Sequence, residues 1–108
     1  MIKAIIYQSK TGHTKEYAES LRKKLKLPCY STEEANQKLK KQEEVIYLSW
    51  IRATSLVGYK KINKKYKICC IGAVGAYPKN NEYTKQLKEY NHITQELFYL
   101  RGGINYEK

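Results

Sequence analysis

KAIIYQSKTGHTKEYAESLRKKL, residues 3–25, passes from an apolar run through small hydroxylated residues and one glycine into a charged segment. KAIIY (3–7) has the short, β-branched character of a strand buried on both faces. From Thr14 onward Ala18, Leu21 and Leu25 recur at helical spacing, with Lys15, Glu16, Glu19, Arg22 and Lys23 on the outward positions. Between strand and helix, QSKTGHT (8–14) offers the hydroxyls of Ser9, Thr11 and Thr14, and Gly12 allows close backbone approach. Successive N–H groups at a helix N-terminus behind such a turn suit a phosphate. N-capping by Thr11 or Thr14 accounts for one hydroxyl. Three hydroxyls and a glycine within six residues exceed that need.

The turn lacks what most phosphate chemistries require. A nucleoside-triphosphate loop needs lysine directly after its last glycine, and Gly12 is followed by His13. A dinucleotide fingerprint needs three spaced glycines, and there is one. No cysteine stands in the turn to act as a phosphatase nucleophile, and Gln8 and Ser49 occupy the places where a receiver domain carries acids. What remains is a phosphomonoester that is held and not cleaved.

The rest of the chain repeats the strand-to-helix alternation. Pro28 ends the first helix and PCYS supplies a brief second strand. Ser31, with Glu33 and Glu34 behind it, caps a polar helix reaching about Lys41. EEVIYLSW (43–50) reads as a third strand, and ATSLVGYKKINKKY (53–66) as a weak helix with Gly58 in its middle. YKICCIGAVGAYP (66–78) is a fourth strand running into a glycine-rich turn, Tyr83, Leu87 and Tyr90 mark a helix face, and ELFYLRGG (96–103) is a fifth strand. Apolar strands alternating with helices predict an α/β fold with a doubly wound parallel sheet, ligands binding beyond the carboxyl ends of its strands.

Composition sets the bounds. The 108 residues suit a single domain spanning 1–108, and 42% apolar content predicts a folded core. Net charge is +11, but the lysines fall across several predicted elements, which reads as a solvated surface, and nucleic acid is not the expected partner. No apolar run approaches the roughly 18 residues of a membrane span, and no signal-peptide pattern opens the sequence. Cys29, Cys69 and Cys70 give neither an even disulfide count nor metal spacing; Cys69 and Cys70, side by side in an apolar run, are expected as buried thiols, and a reducing cytoplasm is the expected compartment. No histidine, carboxylate and nucleophile pattern suggests hydrolytic catalysis.

SKTGHT resembles the phosphate loop of flavodoxins, Ser/Thr-x-Thr-Gly-x-Thr, with Ser9, Thr11, Gly12 and Thr14 on the motif and Lys10 and His13 between them. The resemblance extends over essentially the whole chain. It implies a five-stranded sheet of order 2-1-3-4-5 and flavin mononucleotide (FMN) as cofactor. In flavodoxins the loop after strand three presents an aromatic residue to the flavin, which implies a ring contact for Ser49, Trp50, Ile51 and Arg52 here. The loop after strand four implies further ring contacts at Gly75, Ala76 and Tyr77. SWIRA together with LFYLRGGINYEK is most similar to the branch that includes protoporphyrinogen oxidases.

The implied role is electron transfer between small redox partners, as an electron-transfer flavoprotein or an FMN-dependent oxidoreductase. A charge of +11 departs from the usual acidity of flavodoxins and favours an acidic redox protein or an anionic small substrate. The alternative is a basic binding module that keeps the scaffold without flavin. The resemblance also implies a helix after strand five, for which the sequence leaves no room. An apolar face of strands three to five would then lie bare, which predicts self-association as a symmetric dimer unless further polypeptide covers it.

Overall fold

A computed structural model describes residues 2–9, 12–52, 54–75 and 81–101. In chain order the elements are β1 (Ala4–Tyr7), α1 (His13–Leu25), β2 (Cys29–Ser31), α2 (Thr32–Lys38), β3 (Glu44–Arg52) and β4 (Ser55–Leu56). They continue with α3 (Tyr59–Lys65), β5 (Lys67–Gly75), α4 (Asn81–Tyr90) and β6 (Glu96–Arg101). The strands lie in the order β2-β1-β3-β5-β6, and every pair along that path is parallel. This is the parallel sheet that the alternation predicts, in the 2-1-3-4-5 order that the resemblance implies, with β4 added as a short antiparallel partner of the end of β3.

Strand alternation divides the core between two faces. On one, α1 packs its Ala18 over Ile5, Ile46 and Leu48. On the other, Ala35 of α2, Tyr59 and Ile62 of α3, and Leu87 of α4 pack with Ile6, Val45, Tyr47, Ile71 and Tyr99. Helices on both faces make the sheet doubly wound.

Several helix ends follow their sequence signals closely. Ser31 caps α2 with a complete capping box: its side chain accepts from the Glu34 N–H, and the Glu34 carboxylate accepts from the Ser31 N–H. Lys26 ends α1 in the left-handed region (φ 56°), its N–H donating to the Arg22 carbonyl, with Pro28 just beyond. Two positions on predicted apolar stripes are exposed instead, Leu25 (47%) and Tyr90 (62%), each at the last turn of its helix.

The largest departure lies in 53–66, which is not one helix. β3 runs on to Arg52, turns back through Thr54, and pairs Ile51 with Leu56 and Arg52 with Ser55. Gly58 is the N-cap of α3 and not its interior. Its φ of 79° is one that a β-carbon disfavours, and a β-carbon there would also strike the Gln8 side chain and the Tyr47 hydroxyl. Helical spacing within YKKINKK is real but covers two turns only.

Candidate functional site

Among the described residues of the turn after β1, Ser9 and Gly12 are in direct contact. The Ser9 hydroxyl oxygen accepts a hydrogen bond from the Gly12 N–H at 2.8 Å. Gly12 stands in the left-handed region (φ 97°) as the N-cap of α1, with no side-chain hydrogen bond capping the helix. Gly12, and not Thr14, is therefore the N-cap residue, while Thr11 lies outside the described residues. Helix geometry leaves the first N–H groups of α1 without intrahelical acceptors, and a β-carbon on Gly12 would meet nothing within 4 Å among the described residues. The donor set and the room above the glycine fit a phosphate. Thr14 is buried, at 1% exposure, on the face of α1 turned towards the sheet. The Gly12 N–H is already committed to Ser9, so it is not one of the outward-facing amides that the sequence suggests.

Trp50, Ile51 and Arg52 are placed differently from the sequence expectation. They lie in β3 and its hairpin with β4, not in a loop after the strand. Trp50 and Ile51 are half-buried and Arg52 is exposed. The Trp50 carbonyl accepts from the Val57 N–H at 3.1 Å. Ser49 is fully buried, and its hydroxyl donates to the Val57 carbonyl at 2.6 Å. Its side chain thus faces the base of the hairpin.

Register brings these pieces level. Tyr7 pairs with Leu48 and Trp50 pairs with Val74, so Ser9, Trp50 and Gly75 stand at the carboxyl ends of three neighbouring parallel strands. Those ends span about 10 Å, two strand spacings. The connections leave β1 and β3 in opposite directions across the sheet, making this the topological switch point. Gly75 closes β5 under Tyr99, whose ring fills the space a β-carbon would need. Tyr83 meets that ring edge-on, at 5.6 Å between centroids. Lys10, Thr11, Ala76 and Tyr77 lie outside the described residues, as does the side chain of His13.

Three further residues, absent from the sequence reading, build the support. The Tyr47 hydroxyl donates to the Val57 carbonyl at 2.6 Å and stands 3.3 Å from Gln8 Oε1. Burial pushes the Tyr47 phenol up to about 12, offset in part by the Ser49 hydroxyl. Asn91, just past α4, bonds both Thr54 and Leu56. No local motif marks any of them, because each acts across more than one element.

The remaining chemistry is quiet. Burial pushes the Cys29 thiol up to about 11 and also raises that of Cys70, leaving both protonated as packing groups. Among the described residues no three His, Cys, Asp or Glu side chains gather to hold a metal ion, and no helix is long and apolar enough to cross a membrane.

A family model for the flavodoxin domain matches residues 4–108, nearly the whole chain. No curated protein sequence matches it.

Proposed function

The chain belongs to the flavodoxin domain family, and on that basis we propose that it binds FMN across the ends of β1, β3 and β5 and passes electrons between small redox partners. The observation that carries this reading is the α1 N-terminus. Among the described residues it has no side-chain cap and sits behind a left-handed glycine with open space, and it lies level with the only tryptophan of the chain. In this reading residues 1–108 act as one domain. Ser9, Lys10, Thr11, Gly12, His13 and Thr14 surround the phosphate, while Ser49–Arg52 and residues 75–77 border the ring. The bound flavin supplies the electron chemistry. Trp50 against the ring favours its electron-poor oxidised form, and Arg52 favours negative charge on it. A yellow preparation with flavin absorbance supports the proposal. A colourless protein that takes up no added FMN overturns it in favour of a basic binding module.

The charge favours anionic partners. Lys38, Lys40 and Lys41 at the end of α2 stand with Lys60, Lys61 and Lys64 of α3, all exposed. The two groups meet because the Gln42 N–H donates to the Lys65 carbonyl at 2.8 Å and the Lys65 ammonium reaches Asn36. An acidic redox protein or an anionic substrate such as a porphyrin carboxylate suits this field. Reoxidation of the reduced protein by ferricyanide that did not slow with added salt would count against it.

Self-association follows from the α1 face. α1 packs on β1, β2 and β3, and on the same face beyond β5 Phe98 is 52% exposed beside half-buried Leu100. A second copy laid over this strip would form a symmetric dimer. Sedimentation at low micromolar concentration should show a dimer that Phe98→Asp converts to monomer. A monomeric wild-type chain contradicts the dimer.

A further inference from the structure

Asn91 is 6% exposed, and its side-chain amide makes three hydrogen bonds. Its Oδ1 accepts from the Leu56 N–H at 2.9 Å, and its Nδ2 donates to the Thr54 carbonyl at 2.9 Å and the Leu87 carbonyl at 2.8 Å. Turning the amide over would set donor against donor at Leu56 and acceptor against acceptor at both carbonyls, so its orientation is fixed by its partners. Two of those partners lie 35 and 37 residues away in sequence, on the β3–β4 hairpin.

The hairpin needs such a support. β4 has two residues and pairs with β3 only through Ile51–Leu56 and Arg52–Ser55, too little to hold itself. Its turn contains Thr54 at φ 70°, a β-branched residue in the left-handed region, where strain persists only if surrounding contacts impose it. Tyr47 and Ser49 fasten the base of the hairpin at Val57. Asn91 fastens the tip.

We infer that Asn91 is the positioning residue of the candidate ring site. By holding the Thr54 carbonyl and the Leu56 N–H together, it keeps the strained turn in one register and so fixes where Trp50, Ile51 and Arg52 stand. This rests on the reading that the hairpin borders a flavin. It adds that the end of α4, remote in sequence from every candidate contact residue of the hairpin, sets the geometry of that border.

The test compares Asn91→Ala, Asn91→Asp and Asn91→Ala with Thr54→Gly, using Ser31→Ala at the N-cap of α2 as a control for lost stability alone. Asn91→Asp keeps the acceptor for Leu56 and loses both donors, which gives a second variant should the alanine protein not fold. Trp50 is the only tryptophan, so acrylamide quenching under tryptophan-selective excitation reports the hairpin directly. Both Asn91 variants should raise Trp50 quenching about twofold and lower FMN affinity about tenfold, the loss of one or two buried hydrogen bonds. Adding Thr54→Gly, which removes the strain that Asn91 opposes, should restore most of both. Ser31→Ala should change neither. Asn91 variants that melt earlier but match wild type in quenching would show a structural tie only and overturn the inference, as would a failure of Thr54→Gly to restore the quenching. If the wild-type protein takes up no FMN, the flavin reading fails, while the quenching series in the ligand-free protein still decides the role of Asn91.

Discussion

The Ser9–Gly12 contact and the β3–β4 hairpin stand side by side at the ends of β1 and β3, yet they are held in opposite ways. The first contact is local: the Ser9 hydroxyl accepts from the Gly12 N–H three residues on, and Gly12 starts the helix that follows. The hairpin depends on residues elsewhere. Tyr47 and Ser49 hold Val57 from below, Gln8 reaches across from β1, and Asn91 ties Thr54 and Leu56 to the end of α4. A locally ordered turn can bind a group common to many ligands. A hairpin built from distant contacts can be retuned without touching that turn, and this is where the proposed ring site gains its individuality.

The two glycines give the sharpest way to break this contrast. Both have positive φ, 97° at Gly12 and 79° at Gly58. Alanine at Gly12 meets no described residue, so the cost expected from the described residues is the dihedral, about 1–2 kcal/mol. Alanine at Gly58 adds a collision with the Gln8 side chain and the Tyr47 hydroxyl, and overpacking of that kind costs about 1–3 kcal/mol more. Gly58→Ala should therefore destabilise by about 2–5 kcal/mol in total, a large part of the roughly 5–15 kcal/mol typical of a domain. Chemical unfolding of both variants without flavin measures the difference. Equal losses would mean that the hairpin base is no more constrained than the turn.

The same contrast explains what the sequence reveals. The parallel sheet, the strand-to-helix turn at Gly12 and the α2 cap are legible because their signals are local: apolar runs, a glycine ahead of a helical stripe, and a serine three residues before a glutamate. The hairpin is hidden for a physical reason. Leu56, Tyr59 and Ile62 recur three residues apart, a spacing compatible with a helix, and what overrides it at Leu56 is the pairing with Ile51 together with the amide of Asn91, neither readable from 53–66 alone. Gly58, which looks like a flaw inside a helix, is in fact its beginning. Asn91 follows a helix and resembles any polar residue at such a position. Its role exists only once α4 and β4 meet.

Titration separates the regions with a smaller effect. The described part of the phosphate turn, Ser9, Gly12 and the Thr14 side chain, has no group that ionises near neutrality or in mild alkali. Tyr47, at the hairpin base, is fully buried, and burial pushes its phenol from the ordinary value of 10.0 up to about 12. The neutral phenol is favoured in the folded protein, so the unfolded chain loses its proton first as pH rises. The contribution is fully present below about pH 10 and is lost progressively up to about pH 12, on the order of 2 kcal/mol. Tyr7, Tyr59 and Tyr66, also raised chiefly by burial, add in the same direction. Unfolding measured from neutral pH into this range should show a steeper alkaline loss in wild type than in Tyr47→Phe. Identical slopes would place the alkaline sensitivity outside the hairpin base.

The smallest effect is expected where the contacts are most local. Ser9→Ala removes the acceptor for the Gly12 N–H and, in the flavin reading, one donor to the phosphate. A hydrogen bond to a charged group contributes about 1.5–3 kcal/mol, but the released Gly12 N–H can turn to the same anion and offset part of the loss. FMN affinity should therefore fall by about tenfold, close to 1.4 kcal/mol. Stability without flavin should change by no more than about 0.5–1 kcal/mol, since the bond joins residues three apart at a half-buried surface turn. Flavin titration paired with thermal unfolding of the ligand-free protein gives both numbers. Affinity loss with little stability loss is the signature of a turn that serves the ligand. A Ser9→Ala protein that loses as much stability as Gly58→Ala would show instead that the turn carries the fold, and the division between a locally built half and a remotely supported half would no longer hold.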